Sequence, residues 1–243
     1  MLREATAPAL LYPEEIKGSR VNTARSISSY LGPNGILLGK PRSRGWVRSA
    51  VRDYLQVART EDQIFRCNYV WRYLHYIKPR KPGKNPFPPN TVRMHYILHL
   101  PALRSVDPPY PAAAVMVRFA LKSSIPADLP YDHPYEVLEI GRNWVADDLR
   151  YPTITDLTPA ILREITRRVF WDWSNHIEAV NAKYGPVRGT NIRARPRWLL
   201  AITDPSVGHD GGLYRGAGFD RLAELPCGKL VFGQPVRPLR AVA

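Results

Sequence analysis

The stretch that decides the fold runs from Arg197 to Leu225 and reads RWLLAITDPSVGHDGGLYRGAGFDRLAEL. Its apolar run, Trp198–Thr203, has the length and composition of a buried strand. A polar turn over Asp204–His209 follows, and then a short helical segment over Asp210–Ala217 that Gly218 ends. The chain then returns as a further strand. This order places several polar side chains at one strand end, which is where the sites of open α/β sheets lie.

Four polar side chains of this stretch are candidates for chemistry: Asp204, Ser206, His209 and Tyr214. The glycines between Asp204 and Tyr214 allow the backbone to fold closely around a neighbouring group. Each residue also has a structural interpretation. Asp204 is typical of a turn, Ser206 of a helix cap, and Tyr214 of a core aromatic whose hydroxyl reaches the surface.

Length and composition favour one domain with embellishments, since the chain has 243 residues of which 44% are hydrophobic. No run of about 18 apolar residues is present, so we expect no contact with a membrane. The N-terminus lacks the pattern of a signal peptide, which predicts a cytoplasmic protein. Cys67 and Cys227 lack zinc-type spacing, and we expect two buried, reduced thiols.

Charge is the strongest global signal, because Lys and Arg number 35 against 21 Asp and Glu, a net of +14 with a pI near 10.0. Such a balance is typical of nucleic-acid binding. Two loops concentrate the basic side chains. They are Lys78, Arg80, Lys81 and Lys84 in the first loop and Arg188, Arg193, Arg195 and Arg197 in the second. These loops predict a nucleic acid as the partner, the alternative being a solvated charged face.

The order of elements divides the chain into an irregular segment 1–45, a domain 46–233 and a tail 234–243. Within the domain, residues 46–91 are basic and predict two helices, the second opened by a Thr60–Gln63 capping box, whereas residues 92–233 hold the sheet and the site. The predicted strands are Gly35–Gly39, as an edge strand or a short first strand, Val92–Leu100, Ala113–Leu121, Val137–Val145, Trp198–Thr203 and Lys229–Phe232. A long helix is predicted from an N-cap at Thr158 to about Ala182.

Arg142 is a further candidate, because strict alternation over Val137–Val145 puts it on one face with Leu138, Ile140 and Trp144. An inward-facing arginine needs an anionic partner. Asp147 or Asp148 is the structural choice, and a carboxylate or phosphate of a substrate is the functional one. His95 and His99 share a strand face, but no third ligand is evident and no metal site is predicted.

The predicted running order is similar to that of acyltransferases of the GNAT superfamily. Tyr214 ahead of Ala217-Gly218-Phe219 also resembles that superfamily, in which such a tyrosine often protonates a departing thiolate. The resemblance implies an α/β (α+β) fold with a GNAT-like mixed central sheet flanked by helices, here with a basic helical and loop embellishment at the N-terminal side.

Two segments resemble more specifically the Mom family of phage proteins, which modify adenines in DNA. The first is Leu138-Glu139-x-x-Arg142-x-x-Val145-x-Asp147, similar to the family's L-E-x-x-R-x-x-V-x-D run. The second runs from Asp204-Pro205 through Gly208-His209-x-Gly211 to Tyr214. This resemblance implies a transferase that places a carbamoylmethyl group on the exocyclic amine of adenine in double-stranded DNA and protects phage DNA from restriction. The cytoplasm in question is then that of the host cell.

The roles that follow are a hypothesis for this chain. Asp204 accepts the proton of the amine, and Tyr214 protonates the leaving group or orients the base. Arg142 holds an anionic part of the donor with Asp147 positioning it, while Ser206 and His209 assist.

The donor is not identified by the sequence. The GNAT superfamily binds pyrophosphate with a glycine-rich loop, whereas the corresponding segment Ala146–Asp156 contains no glycine. This absence disfavours acetyl-CoA and agrees with a Mom-like protein. Two alternatives stay open: an acyl-CoA-dependent N-acyltransferase acting on a small-molecule or protein amine, and a non-catalytic DNA-binding protein. The oligomeric state is also open, a homodimer included.

Overall fold

A computed structural model of the protein describes residues 44–75, 92–100, 111–146, 149, 156–185 and 195–237. The helices in these ranges are α1 (Arg44–Tyr54), α2 (Glu61–Tyr69), which continues as a π-helix (Val70–Leu74), α3 (Leu157–Tyr184) and α4 (Gly212–Ala217). The strands are β1 (Leu55–Val57), β2 (Arg93–Leu98), β3 (Ala113–Phe119), β4 (Val137–Val145), β5 (Trp198–Thr203), β6 (Asp220–Glu224) and β7 (Leu230–Pro235). None of the described helices has the length and apolar character needed to span a bilayer.

The described strands form one seven-stranded mixed sheet in the order β1-β2-β3-β4-β5-β7-β6. Neighbouring strands are antiparallel except for β4 and β5, which are parallel. A parallel pair needs a long crossover, and α3 lies between these strands in the chain. The α/β class with a mixed central sheet and flanking helices is therefore confirmed, and so is the predicted order from β2 through α3, β5 and α4 to β6.

Helices cover both faces of the sheet, as two neighbouring residues of β2 demonstrate. The Tyr96 hydroxyl donates a hydrogen bond of 2.9 Å to Asp172 of α3. On the opposite face, His95 Nδ1 accepts a hydrogen bond of 3.2 Å from the Trp71 indole, in the π-helix. Because both faces are covered, β5 is almost continuously apolar, with Leu199, Leu200 and Ala201 fully buried.

The long helix α3 packs on the sheet through the apolar stripe that the sequence predicts. Ile161, Ile165, Val169 and Trp173 recur every four residues, and all are buried. The helix begins at Leu157, however, and its N-cap is Asp156, so the predicted N-cap at Thr158 is wrong. Asp156 has a left-handed φ of 64°, and its carboxylate pairs with Arg44 at 2.6 Å. This tertiary ion pair at the positive helix end replaces a local hydroxyl cap.

Two helices are present in the region from Trp46 to Leu74, but a short strand separates them. Leu55 and Val57 are buried and Gln56 is exposed, which is strand alternation, and β1 pairs with β2. The capping box of α2 is confirmed, since Gln63 N donates to Thr60 Oγ1 and Thr60 N donates to Gln63 Oε1.

Other boundaries differ slightly from the predicted ones. The first described helix begins at Arg44, ahead of residue 46, and β7 ends at Pro235, inside the predicted tail. The predicted edge strand Gly35–Gly39 lies outside the described residues. Cys67 is buried, and burial raises its pKa to about 12. Cys227 is exposed because it lies in the turn between β6 and β7, so the expectation of two buried thiols is wrong for Cys227.

Candidate active site

The predicted site lies beside a place where the two parallel strands of the sheet stop pairing. Within the described strands, the ladder between β4 and β5 runs from Val137–Trp198 to Ile140–Ala201. Beyond this last pair β4 continues to Val145 and β5 to Thr203. The β4 side of this opening carries Arg142, and the segment from Asp204 to Tyr214 follows directly from the β5 side.

Asp204 begins the turn after β5 and keeps its side chain partly in solvent. One carboxylate oxygen accepts hydrogen bonds from the Ser206 amide at 3.1 Å and from the Ser206 hydroxyl at 2.5 Å. The other oxygen lies 3.6 Å from Lys229 Nζ, and the side chain is 33% exposed. The hydroxyl of Ser206, its amide and Lys229 hold the pKa of Asp204 below its ordinary value. Asp204 is therefore an ionised hydrogen-bond acceptor and a weak base. It also forms the turn, which is the structural role that the sequence suggested for it.

The turn that follows is closed by backbone contacts. Thr203 Oγ1 donates a 2.5 Å hydrogen bond to the carbonyl of His209, and the His209 amide donates to the carbonyl of Asp204. The side chains of Ser206 and His209 are exposed. Gly211 has a φ of +82°, and a Cβ atom there would lie 2.1 Å from the Phe232 ring. This glycine therefore lets the turn pack closely against the Phe232 ring in the core.

Tyr214 belongs to α4, the short helix packed between α3 and β7. Its ring is half-buried, and the ring centroid lies 5.9 Å from the centroids of both Phe219 and Phe232. The ring therefore packs on the core, which is the structural role that the sequence suggested for Tyr214. The N-cap of the helix is Gly211, and the Asp210 carboxylate, one residue earlier, accepts from the Gly212 amide at 2.8 Å. Arg163 of α3 donates to the carbonyl of Gly216 at 2.7 Å, which fixes α4 against the long helix.

Arg142 lies on a different face of β4 from the one that alternation predicts. Val117 pairs with Ile140 and Met116 pairs with Arg142, so Gly141 is the extra residue of a β-bulge. The bulge transfers Arg142 and Trp144 to the face of Glu139, opposite Leu138 and Ile140. The prediction that Arg142 shares a face with Leu138 and Ile140 is therefore wrong, although Trp144 does share its face. Met116 fills the space beside the glycine, where a Cβ would meet its methyl carbon at 2.5 Å.

The structure gives Arg142 a backbone partner. Its Nη1 donates to the carbonyl oxygen of Trp71 at 3.2 Å, within the π-helix. Single π-turns recur at functional sites. Asp147 and Asp148, the acidic partners expected from the sequence, lie outside the described residues. By register Arg142 lies on the π-helix face and Tyr214 on the α3 face, so the two can meet around a ligand only across the opening between β4 and β5.

Two residues of this region were missed by sequence reasoning. Glu139 is 3% exposed at its side chain, and it pairs with Arg118 at 2.5 Å. It also accepts from the Leu121 amide at 3.3 Å, which gives this acid of the Mom-like motif a structural role. The second is Asn143, whose side-chain oxygen is buried without a hydrogen-bond partner among the described residues. The sequence signal for Glu139 and Asn143 is that they alternate with Leu138, Ile140 and Trp144 along β4, and this does not distinguish them from surface residues.

The predicted DNA-contacting residues are only partly described. Arg197 pairs with Asp132 at 2.7 Å and with Glu136 at 3.5 Å, so it also has a structural role. Arg195 lies over the Phe170 ring, with its guanidinium carbon 5.9 Å from the centroid. The other six lie outside the described residues: Lys78, Arg80, Lys81, Lys84, Arg188 and Arg193.

The histidine pair considered for a metal is divided by the end of β2. His99 follows the strand, whereas His95 bonds the Trp71 indole. Burial, with nearby Arg93 and His176, lowers the pKa of His95 to about 3, so it is neutral at physiological pH. The described residues contain no group of three His, Cys, Asp or Glu side chains arranged to hold a metal ion.

Comparison with known proteins gives similarity only among solved structures, since no family model and no curated protein matches the chain. The chain is similar to AAC(6')-Ib bound to acetyl-CoA, with 14% identity over 79% of this chain and 100% of that one, at a TM-score of 0.43. It is also similar to the ribosomal-protein-S18-alanine N-acetyltransferase from Escherichia coli, with 10% identity over 78% and 98% and a TM-score of 0.39. For the GNAT domain of S. lividans PAT the identity is 15% over 81% and 88%, with a TM-score of 0.36.

Proposed function

We propose that this protein is a transferase that modifies the exocyclic amine of adenine in DNA, with a carbamoylmethyl-type product that protects phage DNA from restriction. The observation that carries the proposal is the position of the two Mom-like segments. The segment containing Arg142 lies on β4 and the segment from Asp204 to Tyr214 directly follows β5, so both adjoin the opening between these strands. The net charge of +14 supports a polyanionic substrate.

The chemistry assigned to these residues is a transfer to nitrogen. The adenine amine attacks an electrophilic carbon of the donor, a new C–N bond forms, and the leaving group departs with its bonding electrons. Asp204 hydrogen-bonds the amine and takes its proton, for which an ionised carboxylate is required. Tyr214 supplies a proton to the leaving group, and Arg142 binds an anionic part of the donor.

An adenine inside a duplex cannot reach this opening, so the proposal includes extrusion of the base from the stack. Extrusion costs a few kcal/mol. Phosphate contacts from the two basic loops offset that cost without reading sequence. The described members of those loops, Arg195 and Arg197, precede β5 and therefore lie at the opposite end of that strand from Asp204.

The second candidate is an acyl-CoA-dependent N-acyltransferase on a small-molecule or protein amine. The order of the described elements and the one parallel pair among the described strands, β4–β5, favour it, because they are those of the GNAT-like sheet to which such enzymes belong. Asp156 weighs against it, since a carboxylate at the N-terminus of α3 disfavours a pyrophosphate there. The third alternative is a DNA-binding protein without catalysis.

Three measurements separate the three. Nucleosides from the DNA of cells that express the protein are analysed by mass spectrometry, acetyl-CoA is titrated into the purified protein by calorimetry, and DNA binding is measured at several salt concentrations. A new adenosine species supports the proposal. Saturable acetyl-CoA binding with unmodified DNA supports the acyltransferase. Salt-dependent DNA binding with neither result supports the non-catalytic alternative.

A further inference from the structure

The side chain of Asn143 is an unusual feature of β4. Its amide oxygen is buried, and it has no hydrogen-bond partner among the described residues. Folded proteins pair the large majority of buried polar atoms, because an unpaired acceptor loses its bonds to water and gains none in return. A ligand that brings an N–H group to this oxygen is one way to account for it.

The position of Asn143 agrees with that account. Asn143 lies beyond Ile140, on the part of β4 that no longer pairs with β5. Residues paired across neighbouring strands lie on the same face of a sheet. Asn143 is paired with Val115 of β3, and Val115 is paired with Tyr96 of β2, whose hydroxyl donates to Asp172 of α3. Asn143 therefore faces α3 and α4, the same side of the sheet as Tyr214.

A second buried amide provides an internal comparison. Gln234 of β7 also has a side-chain oxygen without a partner in the described part of the chain, and it too lies on the α3 face. Gln234 is paired with Leu199 of β5, however, and Leu199 is in turn paired with Leu138 of β4. Gln234 therefore adjoins the part of the sheet where β4 and β5 are still paired. The two amides thus share chemistry and burial but differ in whether they adjoin the opening.

We propose that Asn143 determines specificity for an amino purine by accepting a hydrogen bond from the exocyclic amine of adenine at its side-chain oxygen. The inference rests on the proposed function and names the group that reads the substrate. The amine has two hydrogens, and Asp204 takes the one that is lost while Asn143 holds the one that is kept. Asparagine amides are well suited to adenine. A purine without the amine leaves the buried acceptor unpaired and is rejected.

The test compares two single-stranded probes of equal length and charge. One is oligodeoxyadenylate, and in the other every adenine is replaced by purine, which lacks only the amine. Single strands remove the cost of base extrusion and the unknown sequence preference, and phosphate contacts are equal for both. Affinities are measured for the wild type, Asn143→Leu, Asn143→Ala and the control Gln234→Met. Thermal unfolding of each variant confirms folding.

The wild type is expected to prefer oligodeoxyadenylate by about tenfold, the effect of one unpaired buried acceptor. Asn143→Leu and Asn143→Ala lose the preference, Gln234→Met keeps it, and Asn143→Leu unfolds at a temperature no lower than the wild type. Equal wild-type affinities, or a preference that survives in both Asn143 variants, overturn the inference. If adenine in cellular DNA is nevertheless modified, only the role of Asn143 fails. If no probe binds and no adenine is modified, the proposed function fails and the inference with it.

Discussion

Arg142 of β4 donates a hydrogen bond of 3.2 Å to the backbone carbonyl of Trp71, which joins the sheet at the candidate site to the π-helix on its outer face. A bulge at Gly141 is what turns Arg142 toward that helix. Since a guanidinium presents several donors in a fixed plane, one can hold the carbonyl while others face a ligand.

The first prediction concerns this guanidinium. Arg142→Lys keeps the charge, but an ammonium on a flexible stem cannot serve the Trp71 carbonyl and a ligand anion in one fixed geometry. We expect DNA modification to fall at least about tenfold with a small change in unfolding temperature. Arg168→Lys is the matched control. Arg168 also donates to a backbone carbonyl, that of Leu55 at a distance of 2.7 Å, but it does not lie at the opening. Equal losses in both variants would indicate a purely structural role for Arg142.

The second prediction concerns the pKa of Asp204. The Ser206 hydroxyl is the main cause of its lowering, so Ser206→Ala should raise that pKa toward its ordinary value, and Lys229→Met should raise it less. A group with a lowered pKa contributes stability above its unfolded value, and the contribution is lost as the pH falls through the folded value. NMR titration of the labelled carboxyl carbon measures both shifts. An unchanged pKa in Ser206→Ala contradicts the assigned hydrogen bond.

The third prediction concerns acid stability. An unfolded histidine takes a proton below about pH 6.5, whereas folded His95 stays neutral down to about 3. The unfolded state therefore binds more protons between these values, and stability falls with decreasing pH by up to about 1.4 kcal/mol per pH unit for this group. His95→Asn keeps an acceptor for the Trp71 indole and removes the titration. Urea unfolding from pH 7 to pH 4 should give a shallower pH dependence for this variant.

The fourth prediction compares two glycines with similar backbone angles. A Cβ atom added at Gly211 (φ +82°) would lie 2.1 Å from the Phe232 ring. A Cβ atom added at Gly228 (φ +78°) would have nothing within 4 Å. Gly228→Ala should cost about 1 kcal/mol, the strain of the left-handed conformation. Gly211→Ala should cost about 3 kcal/mol or more, because a clash with the core is added. Denaturant unfolding of both variants gives the difference, and equal costs would mean that the turn does not pack on Phe232.

The sequence predicts elements best where the signal is local. The bounds of β4 and β5 were predicted correctly, since each is an apolar-rich run between polar turns, and the Thr60–Gln63 capping box is a contact within one turn. The errors arise where a distant partner decides the outcome. The bulge at Gly141 is set by pairing with Met116, the N-cap of α3 by the ion pair between Asp156 and Arg44, and neither partner is near in sequence.

The candidate site follows the same rule. Its residues on β5 and α4 were predicted together because they are close in the chain. The relation between Arg142 and the Trp71 carbonyl arises only from the assembled sheet, and so does the burial of the Asn143 oxygen without a partner among the described residues.

The central claim is that the protein transfers a group to the adenine amine, with Asp204 accepting the proton of the amine. Mass spectrometry of nucleosides from cellular DNA tests this claim most directly. Cells express the wild type, Asp204→Asn or Glu224→Gln, the last being a control at an exposed carboxylate that pairs with Arg221 at 2.7 Å. We predict a new adenosine species for the wild type and for Glu224→Gln, and a loss of at least about a hundredfold for Asp204→Asn. Unmodified adenosine with the wild type, or equal modification with all three proteins, would contradict the claim.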